Sequence, residues 1–222
     1  MNSSFDPNIN PNTCLGFKAG AAQNFMFNDA QTHLHVRNRY LAFWSYQGDE
    51  VLLSGPFDVT VKLPPVPEGD YELRFQTCMG YATRGIVQFF IDGKPCGMPL
   101  GLPVDFRKSG DDQSIGWKSD DAIGDTEAIL AFDHAIRQRG WMKAPASYGN
   151  SNSSGSITPD YMRNNSRMLR KILTTFHSDG KTDHYLRLRQ NLESSNIAFA
   201  FDYIEICPRS VYDNEFYPED RW

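Results

Sequence analysis

Two tryptophans and the charged residues near them are the part of this sequence best suited to bind something. Trp117 and Trp141 stand in a long polar stretch, with Lys118, Asp120, Arg137 and Arg139 close by in sequence. A sugar ring presents C–H groups on one face and hydroxyls around its rim. Holding it takes a flat aromatic surface and forked polar groups, and these six residues offer both. They form the candidate ligand-binding set. A structural reading competes with it: the same rings would pin their stretch of chain onto a neighbouring core, because large aromatics dominate burial. Trp44, Tyr46 and Tyr148 are further aromatics in or beside expected loops and strand ends.

Other residue types suggest chemistry less strongly. The adjacent carboxylates Asp111-Asp112 and Asp120-Asp121 are of the kind that hydrolyses glycosides. They sit among glycines and serines, where aspartate serves as a solvated turn residue. His33 and His35 would share one face of a strand, as a metal pair does, but no third ligand follows at a suitable spacing, so they read as solvated polar residues. No G-x-S-x-G nucleophile elbow occurs. Cys14, Cys78, Cys96 and Cys207 are widely separated and form no C-x-x-C pair. They read as unpaired cysteines acting as small apolar residues. A non-catalytic chain without a cofactor is the expectation.

The elements that must position these residues follow from composition and pattern. Hydrophobic residues make up 40% of the 222, and aromatics 13%, which is enough for a sizeable core. A net charge of −5 argues against nucleic acid as a partner, since phosphate binding needs clustered Lys and Arg. No apolar run approaches the ~20 residues of a membrane helix. The opening "NSSFDPNINPN" lacks the basic and apolar regions of a signal peptide. This fits a cytoplasmic chain, or an exported one whose leader lies outside this sequence.

Residues 1–35, rich in Asn, Gln, Gly and Ala, read as an arm or linker. "YLAFWSY" (40–46) is strand-like. "FDVTVKL" (57–63) and "YELRFQT" (71–77) alternate with period 2, and "PPVPEGD" between them makes a turn. Phe57, Val59, Val61, Tyr71, Leu73 and Phe75 face inward. "GIVQFFIDGKPCG" (85–97) predicts a hairpin at Asp92-Gly93. Residues 103–180 predict an insertion whose one substantial helix runs near 125–139, capped by Asp125 and stopped by Gly140. "PASYGNSNSSGSITPD" (145–160) reads as a loop, and 162–173 as a short helix or the start of a strand. "HYLRLRQ" (184–190) alternates again. "NIAFAFDYIEICP" (196–208) reads as a central strand covered on both faces, with Asp202 in its middle; 211–222 is a tail. Short strands joined by Pro/Gly turns, with helix confined to one insertion, predict an all-β, antiparallel sandwich.

Taken together, "SGPFDVTVKLPPVPEGDYELRF", "VQFFIDGKPCGMPL", "HYLRLRQNL" and "AFDYIEICP" resemble the galactose-binding-like jelly rolls of carbohydrate-binding modules. They look closer still to a β-sandwich domain found after fasciclin repeats in surface lipoproteins of gut Bacteroidetes. The resemblance covers roughly residues 36–210 and rests on the order of the pieces. It implies a jelly roll on the extracellular face of the outer membrane, held there by an anchor outside this sequence, in a polysaccharide-utilisation setting. Its implied partners are a glycan, a fasciclin domain or outer-membrane transporter components. In related modules a carboxylate at the place of Asp202 contributes to a structural calcium site. The Glu-rich opening strand that completes that site has no counterpart in residues 16–47, so calcium is not favoured. Asp202 is then expected to be structural, accepting backbone hydrogen bonds or pairing with Arg187 or Arg189.

Two functions of different classes follow. One is a non-catalytic glycan-binding module. The other is a structural or protein-interaction domain. Exposed tryptophans on one surface would favour the first; buried tryptophans, with an exposed apolar patch elsewhere, would favour the second.

Overall fold

Alternation becomes strand where it is cleanest in the sequence. The computed structural model of the chain describes residues 2–5, 25–28, 32–37, 50–145, 150–151, 157–158, 162–190, 197–214 and 219. Its first strands are β1 (Asn2–Phe5), β2 (Phe25–Phe27), β3 (His33–Arg37) and β4 (Glu50–Ser54). β5 (Phe57–Lys62) buries Phe57, Val59 and Val61 and leaves Asp58, Thr60 and Lys62 half-buried. Next come β6 (Gly69–Cys78), β7 (Ile86–Ile91), β8 (Lys94–Cys96) and β9 (Val104–Asp105), then helices α1 (Asp120–Ile123) and α2 (Thr126–Arg137). The chain continues through β10 (Trp141–Lys143), β11 (Asn150–Ser151), β12 (Ile157–Thr158), β13 (Met168–Ser178), β14 (Tyr185–Gln190), β15 (Ala198–Phe201), β16 (Ile204–Pro208) and helix α3 (Arg209–Tyr212).

The strand orders are β2-β5-β14-β7-β8, with β9 also on β7; β10-β13-β6-β16; and β1-β3-β4-β15, beside a small β11-β12 pair. Every pairing is antiparallel. The fold is an all-β, antiparallel sandwich with few helices. One hydrophobic cluster joins the three larger sheets, drawing Phe57 and Phe89 from the first, Leu73, Phe75 and Leu169 from the second, and Leu53 and Phe199 from the third. At ~25 cal/mol per Å2 of apolar area, each such side chain contributes roughly 1.5–3 kcal/mol.

Local signals act as their chemistry predicts. Ile91 pairs with Lys94 across Asp92-Gly93, whose φ values of 49° and 78° are those of a tight I′ turn. Asp125 caps α2, its carboxylate accepting the Ala128 N–H at 2.9 Å.

Several expectations are corrected. The stretch 1–35 is not simply an arm, because β1, β2 and part of β3 fall within it and pair in sheets. β13 lies between β10 and β6, so the excursion expected to run to 180 gives way to a sheet strand at Met168. Of the two alternatives for residues 162–173, a short helix or the start of a strand, the second holds: they lead into β13. The tail is tied down through α3 and through Glu219, which pairs with Arg74. The strand-like stretch 40–46 lies outside the described residues.

The stretch 196–208 is two strands. β15 pairs with β4, β16 pairs with β6, and the chain crosses from one sheet to the other at Asp202-Tyr203. Gln76 holds the crossing: its carbonyl accepts the Asp202 N–H at 3.2 Å, and its N–H donates to the Tyr203 carbonyl at 3.0 Å. β16 is an edge strand, with Ile204, Glu205 and Ile206 half-buried. Asp202 is half-buried at the bend, not enclosed mid-strand.

Candidate functional site

The 97–103 loop folds back over β13. Gly97 N–H donates to the Leu173 carbonyl at 2.8 Å and Met98 N–H to the Ile172 carbonyl at 3.4 Å. The end of α2 approaches the same place. Gly140 has φ 79°, and a Cβ there would stand 2.6 Å from Lys171 Nζ and 2.8 Å from Met98 Cβ, so only glycine permits this approach. A pocket of about 420 Å3 opens between loop, helix end and strand. That is within the size range of small-ligand sites. Met98, Pro99, Leu102, Val104, Ile115 and Trp141 give it apolar walls; Asp105, Lys108, Ser114, Arg139 and Lys171 are its polar members.

Lys171 is the unusual residue here. Register places it opposite both Trp141 and Phe75, in the row of the sheet that faces the core. It is 2% exposed. Its Nζ donates to the carbonyls of Met98 at 2.7 Å and Gly140 at 2.9 Å, and lies 4.6 Å from the Trp141 ring centroid. No carboxylate among the described residues offsets its burial, and desolvation pushes the amine down to about 7. Arg139 Nη1 donates to the Ile115 carbonyl at 3.0 Å and has no carboxylate partner among the described residues. Asp105, by contrast, is fully engaged: Arg107 forks onto it at 2.8 and 2.7 Å and holds its carboxyl below the ordinary range.

The six residues singled out in the sequence do not assemble into one site. Arg139 and Trp141 line the pocket. Trp141 is buried as a wall, edge-on to Phe106 at 6.3 Å, with Lys171 over its face. Trp117 is half-buried against the main core and is not among the residues lining the pocket. Lys118 is exposed. Arg137 donates to Glu72 Oε2 at 2.6 Å across the outer face of the second sheet.

Asp120 belongs to a separate ion cluster. It accepts from Lys143 Nζ and from Arg163 Nε, each at 2.6 Å, while Arg163 Nη2 reaches Asp133 at 2.5 Å. Burial pushes the Asp120 carboxyl up, but Arg163 and Lys143 outweigh it and hold the group below its ordinary value. This neutralised carboxylate is poorly placed for hydrolytic chemistry with Asp121. Asp112 serves its turn, accepting from Ser114. The His33 and His35 side chains, Trp44, Tyr46, Tyr148 and Cys14 lie outside the described residues. Cys78, Cys96 and Cys207 are buried, and burial pushes the thiols of Cys96 and Cys207 up to about 12 and about 11. Arg187 forks onto Asp58 at 2.7 and 2.5 Å and is committed there, not to Asp202.

Glu205, Cys207 and Glu219 bring one ligand atom each within 4.8 Å of one another. The carboxylates there already accept from Arg74 and Arg170, which supply the positive charge a cation would bring.

No family model and no curated protein matches the chain.

Sequence reasoning missed Lys171, although a signal was present. In Leu169-x-Lys171-x-Leu173 a lysine occupies the apolar phase of an alternating strand. Its depressed basicity gives a testable pH dependence. The unfolded chain binds a proton at Lys171 up to its ordinary value of 10.5, and the folded chain only up to about 7. Unfolding therefore takes up a proton between those values, and stability rises with pH across that window, by at most ~1.4 kcal/mol per pH unit. Asp105, Lys108 and Arg139 are the other charged groups on this pocket. Between about pH 7 and 8.5, below the ordinary thiol range, urea titrations of the wild type are expected to show rising stability, and Lys171→Met a flat profile. Parallel profiles for the two proteins would show that Lys171 is not the group responsible.

Proposed function

We propose that the chain is a non-catalytic protein-interaction domain that docks a partner through the 97–103 loop and the pocket beside it. The carrying observation is that Leu100 is 75% and Leu102 61% exposed at the mouth of this pocket, while Trp141 is only 6% exposed and committed to its wall. Side chains of this size kept in water on a rigidly tied loop are the composition of a contact surface. The order of strands supports the finer proposal of a galactose-binding-like jelly roll. With it go the proposals of an extracellular setting and of a fasciclin domain or transporter component as partner. No helix among the described residues is long and apolar enough to cross a membrane.

A photo-reactive residue placed at position 100 of the full-length protein, in its native cell, is expected to give one dominant cross-linked protein. Leu102→Ser in the same chain is expected to abolish that product. A diffuse mixture of products, unchanged by Leu102→Ser, would refute the reading. The glycan-binding alternative draws on one observation, that polar Lys108, Ser114 and Arg139 surround a tryptophan wall. Binding on a glycan array, lost in Arg139→Gln, would establish it in place of the first.

A further inference from the structure

The pocket's charge is lopsided in a protein whose net charge is −5. Lys108, Arg139 and Lys171 face it against one carboxylate, Asp105, whose oxygens Arg107 already occupies. Lys108 is held by Asp112 at 3.3 Å. Arg139 and Lys171 find carbonyl oxygens but, among the described residues, no counter-charge. Lys171, 2% exposed, is removed from water without an anion, which is costly, and an anion delivered into the same space beside the exposed Arg139 relieves that cost. The remaining wall is aliphatic, with Met98, Leu102, Val104 and Ile115 contributing. Neutral sugars need several forked hydrogen-bonding groups, which such a wall does not offer. A phosphate is also a poor match. The helix end at the pocket is the C-terminal, negative end of α2, and a dianion there meets the unfavourable pole. A single negative charge on an apolar group suits both halves of the lining.

We infer that this pocket binds a carboxylate carried on a short, branched apolar body, the chemistry shared by a free branched-chain acid and by a polypeptide ending in leucine or a similar residue. Arg139 forks to the carboxylate, Lys171 supplies charge from the floor, and the apolar body lies against the aliphatic wall. Asp105 is spared direct repulsion because Arg107 covers it. The inference rests on the reading of this face as the contact surface and names the chemistry that it accepts.

The test titrates the intact chain with 4-methylpentanoate, with its neutral amide, and with an acetylated tripeptide ending in leucine, as free acid and as C-terminal amide. Binding is followed by amide chemical shifts in NMR. The acid is expected to bind, in the roughly millimolar range proper to so small a ligand, with shifts at residues 98–104 and 139–141. The neutral amide should bind about tenfold or more weakly. Arg139 is exposed and so replaceable without unfolding; Arg139→Gln should reduce the acid to the level of its amide. Stronger binding of the free-acid tripeptide than of 4-methylpentanoate assigns the site to a polypeptide terminus, and the reverse order assigns it to a small acid. Equal binding of acid and amide, no binding of either, or no effect of Arg139→Gln overturns the inference. If the position-100 cross-link survives such a failure, the interaction reading stands without it. If the acid binds but no cross-link forms, the interaction reading fails and the pocket stands alone.

Discussion

Replacing Arg74 with methionine is expected to cost about 3–5 kcal/mol, the range for breaking a buried ion pair from one side. Arg74 is fully buried on the outer face of β6. It donates to Glu72 at 2.6 Å, to Glu205 at 3.1 Å, and forks onto Glu219. Burial disfavours its charge, but Glu219, Glu205 and Glu72 more than compensate and raise its affinity for the proton. Methionine fills similar space and leaves three carboxylates facing Arg137 and Arg170 alone. For a chain of this size the melting temperature should fall by about 6–20 °C in calorimetry. The loss also has a pH signature. Burial pushes the Glu219 carboxyl up, but Arg74 and Arg170 outweigh it and hold it below its ordinary value of 4.5. A carboxylate so depressed stabilises the fold above that value, and the contribution disappears as pH falls through its lower folded value. The gap between wild type and Arg74→Met should therefore narrow below about pH 4.5. A loss under ~1 kcal/mol, or a gap independent of pH, would mean that Glu219 is not paired as described.

Phe199→Ala is expected to be comparably severe, about 3–5 kcal/mol. Its ring is fully buried and lies 5.4 Å from Phe75, 4.9 Å from Phe106, 5.9 Å from Phe57 and 6.4 Å from Phe89, centroid to centroid. These partners come from β6, the 106 turn, β5 and β7, so one truncation opens a cavity shared by all three large sheets. Backbone hydrogen bonds hold each neighbouring strand, which limits how far the cavity can collapse. In urea the midpoint should drop with the slope unchanged. Phe199→Leu, which keeps most of the volume, should cost less than half as much. Equal costs for the two would indicate a site with room to relax.

The same two positions show what the sequence could and could not convey. Phe199 is legible, because an aromatic between alanines in an alternating run must face a core. So are the inward faces of β5 and β6, the Asp92-Gly93 turn and the Asp125 cap, since each depends on neighbours within a few residues. Arg74 is not legible. Alternation correctly puts Glu72, Arg74 and Gln76 on the outer face of β6, but that face is itself covered, by Arg137 and Glu219 from distant parts of the chain. β2, with three residues, is too short to show a period, and its place on β5 is a matter of pairing. Trp141 lines the pocket as a buried wall rather than as an exposed platform, because Lys171 lies over its face. What decides the pocket is where the 97–103 loop lands on β13, which no local pattern states.

The separation of Arg74 from its carboxylates bears on how the protein is made. A polypeptide leaves the ribosome from its N-terminus, so Arg74 emerges 131 residues ahead of Glu205 and 145 ahead of Glu219. β6 also waits for β16 at its edge, and β4 for β15. Until those segments appear, Arg74 has Glu72 beside it but not Glu205 or Glu219, and a nascent β6 can bury neither the rest of its guanidinium nor its edge without leaving hydrogen-bonding groups unsatisfied. Closure of the sandwich is therefore expected only after β15, β16 and Glu219 have been synthesised, rather than strand by strand.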